Sequence, residues 1–228
     1  MKTLIKLQLS IAAIALSFNV AAAGSSVPLE SANTNITDTA SLQNGAKLFM
    51  NYCSGCHAIS FMRYNRIGSD LGLSDADIEE NLMFAGDKVG ENITTAMPEA
   101  QASTWFGGTP PDLSLVSRSK GTDWIYSYLK GFYADESRIF GVNNHVLQNA
   151  SMPDALWSLR ESKSEEAFDN DVRDITNFLD YVGEPAKLVR VDLGKKVLFF
   201  LAILFILSYL LKKEYWKDVK YGIWRKRD

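Results

Sequence analysis

Apolar side chains recur at spacings of three and four residues in several stretches of this 228-residue chain, which is the pattern of amphipathic helices. Each stretch follows a residue of a type that is common at the N-cap position of a helix. Gly45, in the first stretch, allows another helix to approach closely, or is an incidental glycine that weakens the helix. The pattern predicts a mainly α-helical fold. The first predicted helix begins near Asp38 or Thr39. The second runs from Ser74 to about Phe84, and the third runs from about Thr122 to Tyr133.

The most regular apolar stripe predicts a fourth helix. Ser162 and Glu165 fit a capping box at its start. Gly183 and Pro185 are expected to end it. The stripe steps by four, three, four and three residues through Phe168, Val172, Ile175, Leu179 and Val182.

Two regions outside these helices lack a helical pattern. Residues 24–37 are rich in Ser, Asn and small side chains, and we expect an extended lead-in without a packed core. Residues 85–111 are dense in Gly and Pro and are predicted to be mainly loop. Long loops inside a compact domain require something that organises them. A bound cofactor in a domain spanning 38–186 would do so.

Continuous apolar runs occur near both ends of the chain. The first, Leu7–Phe18, follows two lysines and precedes small residues, so residues 1–23 are predicted to be a signal peptide cut after Ala23. The second is Val197–Leu211. Extended to 193–211, it spans about 28 Å at 1.5 Å per residue, close to the roughly 30 Å of a bilayer core. We expect a linker at 187–192 and then a transmembrane helix at 193–211; a buried core helix is the alternative.

Charge is distributed unevenly along the chain, although the formal net charge is only −3. Residues 24–194 hold 13 basic and 24 acidic side chains, whereas residues 195–228 hold nine basic and three acidic ones. The basic tail at 212–228 is therefore predicted to be cytoplasmic. The acidic part is not expected to bind nucleic acid. Its acidic cluster near the fourth helix is either a docking surface for a basic protein or a solvated face: Glu161, Glu165, Glu166, Asp169, Asp171 and Asp174.

The strongest chemical signal is the run Cys53-Ser-Gly-Cys56-His57. A Cys-x-x-Cys-His run is typical of c-type haem attachment, in which two thiols bond to the porphyrin and the histidine ligates the iron. A zinc site needs four ligands, and only the distant His145 is left to complete one. A thioredoxin-like pair would follow a strand, and a disulfide would leave His57 without a role. We therefore expect one covalent haem c.

A haem that only transfers electrons needs a second axial ligand. Met62 follows His57 too closely to reach the opposite face, and Met83 lies on a predicted helix. Met97 and Met152 each precede a proline in a loop. We favour Met152 because its loop precedes the last amphipathic helix of the domain, where it can close over the haem. His145 would give a bis-histidine site, although a surface role, or a role as a neighbour of the iron ligands, fits it better.

Several segments of the sequence form one combined pattern. They are Asn44-Gly-Ala-Lys-Leu-Phe-Met-Asn-Tyr-Cys53-Ser-Gly-Cys56-His57, Met62-Arg-Tyr-Asn-Arg66, Pro110-Pro-Asp-Leu-Ser114 with Arg118, Met152-Pro153, and the lysine-flanked C-terminal run. With this pattern, the chain resembles the cytochrome c1 family, the haem subunits of quinol:cytochrome c reductase. The resemblance implies a class I-like cytochrome c haem domain with long loops and one C-terminal transmembrane helix. It also implies that Met152 is an axial ligand, that Arg118 contacts a haem propionate, and that Pro111 offers its carbonyl to His57.

The same resemblance implies a place in the cytochrome bc1 complex, a dimeric multi-subunit assembly. The expected partners are cytochrome b, a Rieske iron-sulfur protein that donates electrons, and a soluble or membrane-anchored cytochrome c that accepts them. Other subunits act on the quinol, so no catalytic residue is expected in this chain. We expect a bacterial inner-membrane protein with a periplasmic haem domain. The alternatives are a cytochrome subunit of another dehydrogenase or oxidase, and a haem-based sensor.

Overall fold

The computed structural model describes residues 27–221, which are mainly helical, as predicted. The predicted signal peptide and the last seven residues of the predicted tail lie outside the described residues. The helices are α1 (Thr39–Tyr52), α2 (Tyr64–Leu71), α3 (Asp75–Asn81), α4 (Glu99–Phe106), α5 (Val116–Lys120), α6 (Thr122–Lys130), α7 (Trp157–Ser162), α8 (Glu165–Gly183) and α9 (Lys187–Tyr221). The strands form two antiparallel pairs, β1 (Ile59–Arg63) with β2 (Asn92–Ile93) and β3 (Phe132–Ala134) with β4 (Val142–Asn144).

Helices α1 and α8 pack against each other at the centre of the domain. Asp38 caps α1, as predicted, and its carboxylate accepts a hydrogen bond from the Ser41 amide. A Cβ atom built on Gly45 would lie 2.1 Å from the carbonyl oxygen of Asp174, so only glycine permits this approach. One turn further along, the rings of Phe49 and Phe178 lie 5.7 Å apart. The predicted close approach at Gly45 is therefore confirmed.

The predicted start of α8 is wrong by two residues. Ser162 is the last residue of α7, and Ser164 is the residue that caps α8, accepting a hydrogen bond from the Ala167 amide. The capping-box pattern of Ser162 and Glu165 therefore spans a break between two helices. The predicted end of the helix at Gly183 is confirmed.

The lead-in is extended, but the prediction that it lacks packing is wrong. Ala32 and Ile36 are buried in the core. The Ala32 amide donates to the Asp123 carboxylate at 2.8 Å, and its carbonyl accepts from Arg173 at 3.2 Å. Side chains far along the chain thus supply partners that the composition of the segment does not reveal. The described part of the lead-in, from residue 27, is part of the domain.

The loop region contains more regular structure than predicted. Helix α3 begins with the predicted capping box of Ser74 and Asp77. Helix α4, however, lies inside the predicted loop 85–111. Its Glu and Ala residues favour helix, and it is confined to eight residues between Pro98 and Gly107, the latter with a φ of 74°. Gly and Pro therefore mark the ends of a short helix here.

Helix α9 has 35 residues, none of them buried in the described chain. An 18-residue window within it has a mean hydropathy of 2.0, and at 1.5 Å per residue the helix is about 52 Å long. It could span a membrane. The predicted linker at 187–192 is helical because it contains neither Gly nor Pro and its side chains hold it to α8. Lys187 pairs with Asp180 at 3.1 Å, and Arg190 pairs with Glu184.

Candidate haem site

Helix α1 delivers the Cys-x-x-Cys-His run directly from its last turn. The Cys53 amide donates to the Phe49 carbonyl at 2.8 Å, which closes the helix. The Cys53 carbonyl then accepts from the amides of Cys56 at 3.0 Å and His57 at 2.8 Å. The two cysteines and the histidine are thereby held on a single turn.

The imidazole of His57 is oriented by a contact distant in sequence. Its Nδ1 lies 2.8 Å from the carbonyl oxygen of Pro111. A carbonyl can only accept, so Nδ1 carries the proton and the lone pair of Nε2 is left for a metal ion. Burial lowers the pKa of His57, and the bond to Pro111 and the charge of Asp112 offset only part of this effect. A neutral imidazole is the form that binds iron.

The segment around Pro111 is clamped onto the residues that follow the histidine. The Leu113 amide donates to the Ala58 carbonyl at 2.8 Å. The Asp112 carboxylate accepts from the amides of Ser60 at 3.0 Å and Ser114 at 2.7 Å. Burial acts to raise the pKa of Asp112, but these hydrogen bonds outweigh it and hold the pKa below its ordinary value. Asp112 therefore fixes the Pro111 carbonyl.

The role of Asp112 was not predicted from the sequence. Its carboxylate bonds the amide two residues ahead, as in an Asx turn, and an Asp that follows two prolines is a recognisable signal for such a turn. The bond to Ser60, 52 residues away, has no local signal.

A second segment, around Thr95, also contacts the motif. The Thr95 hydroxyl donates to the Gly55 carbonyl at 2.9 Å and accepts from the Met97 amide at 3.2 Å. This contact holds Met97, the rival axial ligand, close to the cysteine turn. Nothing in the local sequence indicated it.

Both thiols are free, as haem attachment requires. Burial, and to a lesser extent the neighbouring Cys56, raises the pKa of Cys53 to about 12, and burial also raises the pKa of Cys56. Both therefore remain protonated thiols near neutral pH. Two free thiols on one turn, beside an imidazole with an available Nε2, fit a covalently attached haem.

The remaining predicted ligands differ in their burial and surroundings. Met152 is partly buried and packs against the hydrophobic core. Met62 is buried on β1, and Met83 packs against the core. The exposed His145 stacks on Tyr133 with ring centroids 4.3 Å apart. Within residues 27–221 no hydrogen bond or ion pair joins Met152 to the cysteine turn.

Arg118 lies on α5, and its side chain is more than half exposed. Its guanidinium pairs with Glu184 at 3.3 Å, and Glu184 also pairs with Arg190. Arg118 therefore connects α5 to the start of α9 in this structure.

The sequence model of the Cytochrome C1 family matches residues 31–219. The chain belongs to the cytochrome c1 family. It is 47% identical to a cytochrome c1 of Allochromatium vinosum over 225 residues, which cover 87% of this chain and 92% of the relative. It is 40% identical to an ammonia monooxygenase gamma subunit of Nitrosomonas europaea over 213 residues, which cover 86% of this chain and 91% of that relative. It is also 24% identical to a cytochrome b/c1 of Bradyrhizobium diazoefficiens over 230 residues, which cover 79% of this chain and 34% of that protein.

Membership of the cytochrome c1 family confirms several predictions. Proteins of this family carry a covalently bound haem c and serve as electron-transfer haem subunits of the cytochrome bc1 complex. The apolar helix α9 is consistent with a membrane-anchored member. The cytochrome b/c1 relative also associates this family with cytochrome b.

Proposed function

We propose that this chain accepts electrons from a Rieske iron-sulfur protein and passes them to a cytochrome c through one haem. Cys53 and Cys56 would form the two thioethers, and His57 and Met152 would hold the iron. The observation that carries the proposal is the 2.8 Å bond between His57 and the Pro111 carbonyl, formed beside two free thiols in a chain of this family.

The haem, when bound, supplies a centre that takes up and releases a single electron. The chain's own residues set the conditions for that exchange. The Pro111 carbonyl fixes the tautomer and plane of the His57 ring, and such hydrogen bonds raise the basicity of the ligating nitrogen. The thioether of Met152 would favour reduced iron and so raise the potential. We assign no acid-base residue to this chain.

Arg118 remains our proposed partner for a haem propionate. In its present pair with Glu184, the Arg118 side chain is 56% exposed and the Glu184 side chain 23% exposed, and exposed ion pairs contribute only about 0–1 kcal/mol. If Arg118 left Glu184 and paired with a haem propionate, the free-energy cost of the lost pair would therefore be small. Glu184 would keep its pair with Arg190.

The charge pattern supports an orientation in the membrane. Seven basic residues between Lys212 and Arg227 follow the apolar part of α9. An excess of Lys and Arg next to a span indicates the cytoplasmic side. We therefore place the C-terminus in the cytoplasm and the haem domain in the periplasm of a bacterial inner membrane.

Purification of the full chain from detergent-solubilised membranes tests the assignment to the complex. A tag at the C-terminus is expected to recover a cytochrome b and a Rieske protein, together with quinol:cytochrome c reductase activity. In the same cells, trypsin added to intact spheroplasts should digest the haem domain. Recovery without cytochrome b would contradict the assignment, and protection from trypsin would contradict the orientation.

A second candidate function follows from the relative named as an ammonia monooxygenase gamma subunit. The two chains are 40% identical over most of their lengths. The second candidate is therefore a function as the cytochrome subunit of another oxidoreductase. The purification separates the two candidates. Recovery with monooxygenase subunits, in place of cytochrome b, would favour the second.

The acidic cluster offers a smaller docking surface than its sequence indicates. Asp171 is buried and pairs with Lys163, and Asp169 pairs with Lys130. Asp174 accepts hydrogen bonds from Ser41 and Asn44. The carboxylates left for a partner are Glu161, Glu165 and Glu166, all exposed.

The triple change of Glu161, Glu165 and Glu166 to Gln is expected to slow association with a basic cytochrome c about tenfold at low salt. An acidic surface speeds encounter with a basic partner, and salt screens the effect. Stopped-flow electron transfer at increasing ionic strength measures it. The matched control changes Asp75 to Asn and both Glu79 and Glu80 to Gln, an equal loss of charge on exposed α3. Equal slowing in both variants would show that net charge, and not this surface, steers the encounter.

A further inference from the structure

Two adjacent asparagines on β4 are buried, and the proposed electron transfer makes no use of them. Asn143 is 5% exposed and Asn144 is 0% exposed. They lie where the chain leaves the β3–β4 pair and enters residues 145–156, a described stretch that forms neither helix nor strand. This stretch carries Met152.

Asn144 fixes the first turn of this stretch. Its carboxamide oxygen accepts from the amides of Val146 at 2.8 Å and Leu147 at 3.2 Å. Its Nδ2 donates to the Tyr128 carbonyl at 2.7 Å, which joins the turn to α6. Gly131 leaves room for it, since a Cβ atom there would lie 3.3 Å from the Asn144 oxygen.

Asn143 fixes the next turn. Its carboxamide oxygen accepts from the Asn149 amide at 2.8 Å and the Asn144 amide at 2.9 Å, and its Nδ2 donates to Asp135 at 2.9 Å. Asn149 has a φ of 64°, and Arg138 holds it by donating to its carbonyl at 3.0 Å and its side-chain oxygen at 3.2 Å. The chain three residues before Met152 is thus held by side chains from the β3–β4 pair.

We propose that Asn143 and Asn144 are positioning residues for Met152, and that they act on the iron through the loop that carries it. The inference rests on the proposed function, because it takes Met152 as the axial ligand. A segment without helix or strand can hold a ligand in place only if its backbone polar groups find other partners. In residues 145–149 these two carboxamides supply bonds to three of the backbone amides.

The loss of one of these side chains is expected to loosen the loop that carries Met152. Replacing Asn143 by Ala leaves the part-buried Asn149 amide without its acceptor, and an unpaired donor at such a site costs free energy. The loop can then relieve this cost by moving outward, which withdraws Met152. The iron would lose its thioether in part of the molecules, and the sixth position would open.

The test uses the full-length, haem-loaded Asn143→Ala protein in detergent. We expect the methionine-to-iron charge-transfer band of the oxidised protein to weaken and the midpoint potential to fall. Carbon monoxide binding to the reduced protein is expected to increase about tenfold, the factor that follows from loss of the bond to the Asn149 amide alone. The matched control is Asn177→Ala. Asn177 is 1% exposed and donates to the Asn35 carbonyl and the Ser41 hydroxyl, on the side of α8 that faces α1. The Asn177→Ala substitution is expected to lower thermal stability without changing the charge-transfer band, the midpoint potential or carbon monoxide binding.

A second pair of variants applies if Asn143→Ala fails to fold. Asn143→Asp keeps the acceptor for the Asn149 amide but places a carboxylate against Asp135. Adding Asp135→Asn exchanges donor and acceptor, and the double variant is expected to recover the band that the single variant loses. Absence of that rescue would overturn the inference.

The outcomes separate this inference from the function on which it rests. If Met152→Leu abolishes the band while Asn143→Ala keeps the wild-type band, potential and carbon monoxide binding, only the positioning role is wrong. An equal change in Asn177→Ala would also overturn it, because general destabilisation would then explain the result. If Met152→Leu keeps the band, the ligand assignment itself is wrong.

Discussion

Replacing Met152 by Leu is expected to remove the methionine-to-iron charge-transfer band of the oxidised protein and to lower its midpoint potential by on the order of 0.2 V. Axial ligands set haem potentials over a range of roughly 0.8 V, and a thioether opposite histidine favours the reduced iron. The two side chains have similar volumes, so the core contacts of Met152 should be kept at a cost below about 1.5 kcal/mol. Visible and near-infrared spectroscopy with redox titration measures the change.

Met97→Leu is the control for this experiment. Met97 also precedes a proline, and its backbone is connected to the motif through Thr95 and Gly55. The Met97→Leu substitution is expected to leave the charge-transfer band and the midpoint potential as in the wild type. Loss of the band in Met97→Leu, together with an unchanged Met152→Leu protein, would reverse the assignment of the ligand.

Features that depend on neighbouring residues were predictable. The Asp38 cap, the Ser74 capping box and the end of α8 at Gly183 each follow from a few adjacent side chains. The cysteine turn belongs to the same class, since its spacing alone indicates haem attachment. Local rules fail where two signals overlap, as at Ser162, where one helix ends just before the next begins.

Features that depend on distant partners were not predictable from the pattern. The bond between the Leu113 amide and the Ala58 carbonyl joins segments 55 residues apart. The bond from Ala32 to Asp123 spans 91 residues, and it is one reason that the lead-in packs. A polar group meets such a partner only after the helices have assembled. For the His57–Pro111 contact, only resemblance to the family indicated the pair in advance.

Substitution of Gly45 by Ala is expected to lower the free energy of unfolding of the haem domain by about 3 kcal/mol, because overpacking at a rigid contact costs roughly this much. The added Cβ would lie 2.1 Å from the Asp174 carbonyl oxygen and 2.8 Å from the Cβ of Phe178. The Asp174 oxygen belongs to the backbone of α8, so relief requires α1 and α8 to separate. The higher helix propensity of alanine, about 1 kcal/mol, is too small to compensate.

Gly90→Ala is the matched control. No heavy atom lies within 4 Å of a Cβ built on Gly90, and its φ is not positive. Thermal unfolding of both haem-loaded proteins measures the difference, which should be about 10 °C for a domain of this size. Since Cys53 directly follows the last residue of α1, separation of α1 from α8 should also displace the cysteine turn and reduce haem incorporation in Gly45→Ala alone. Equal stability of the two variants would mean that α1 and α8 do not pack as closely as this contact requires.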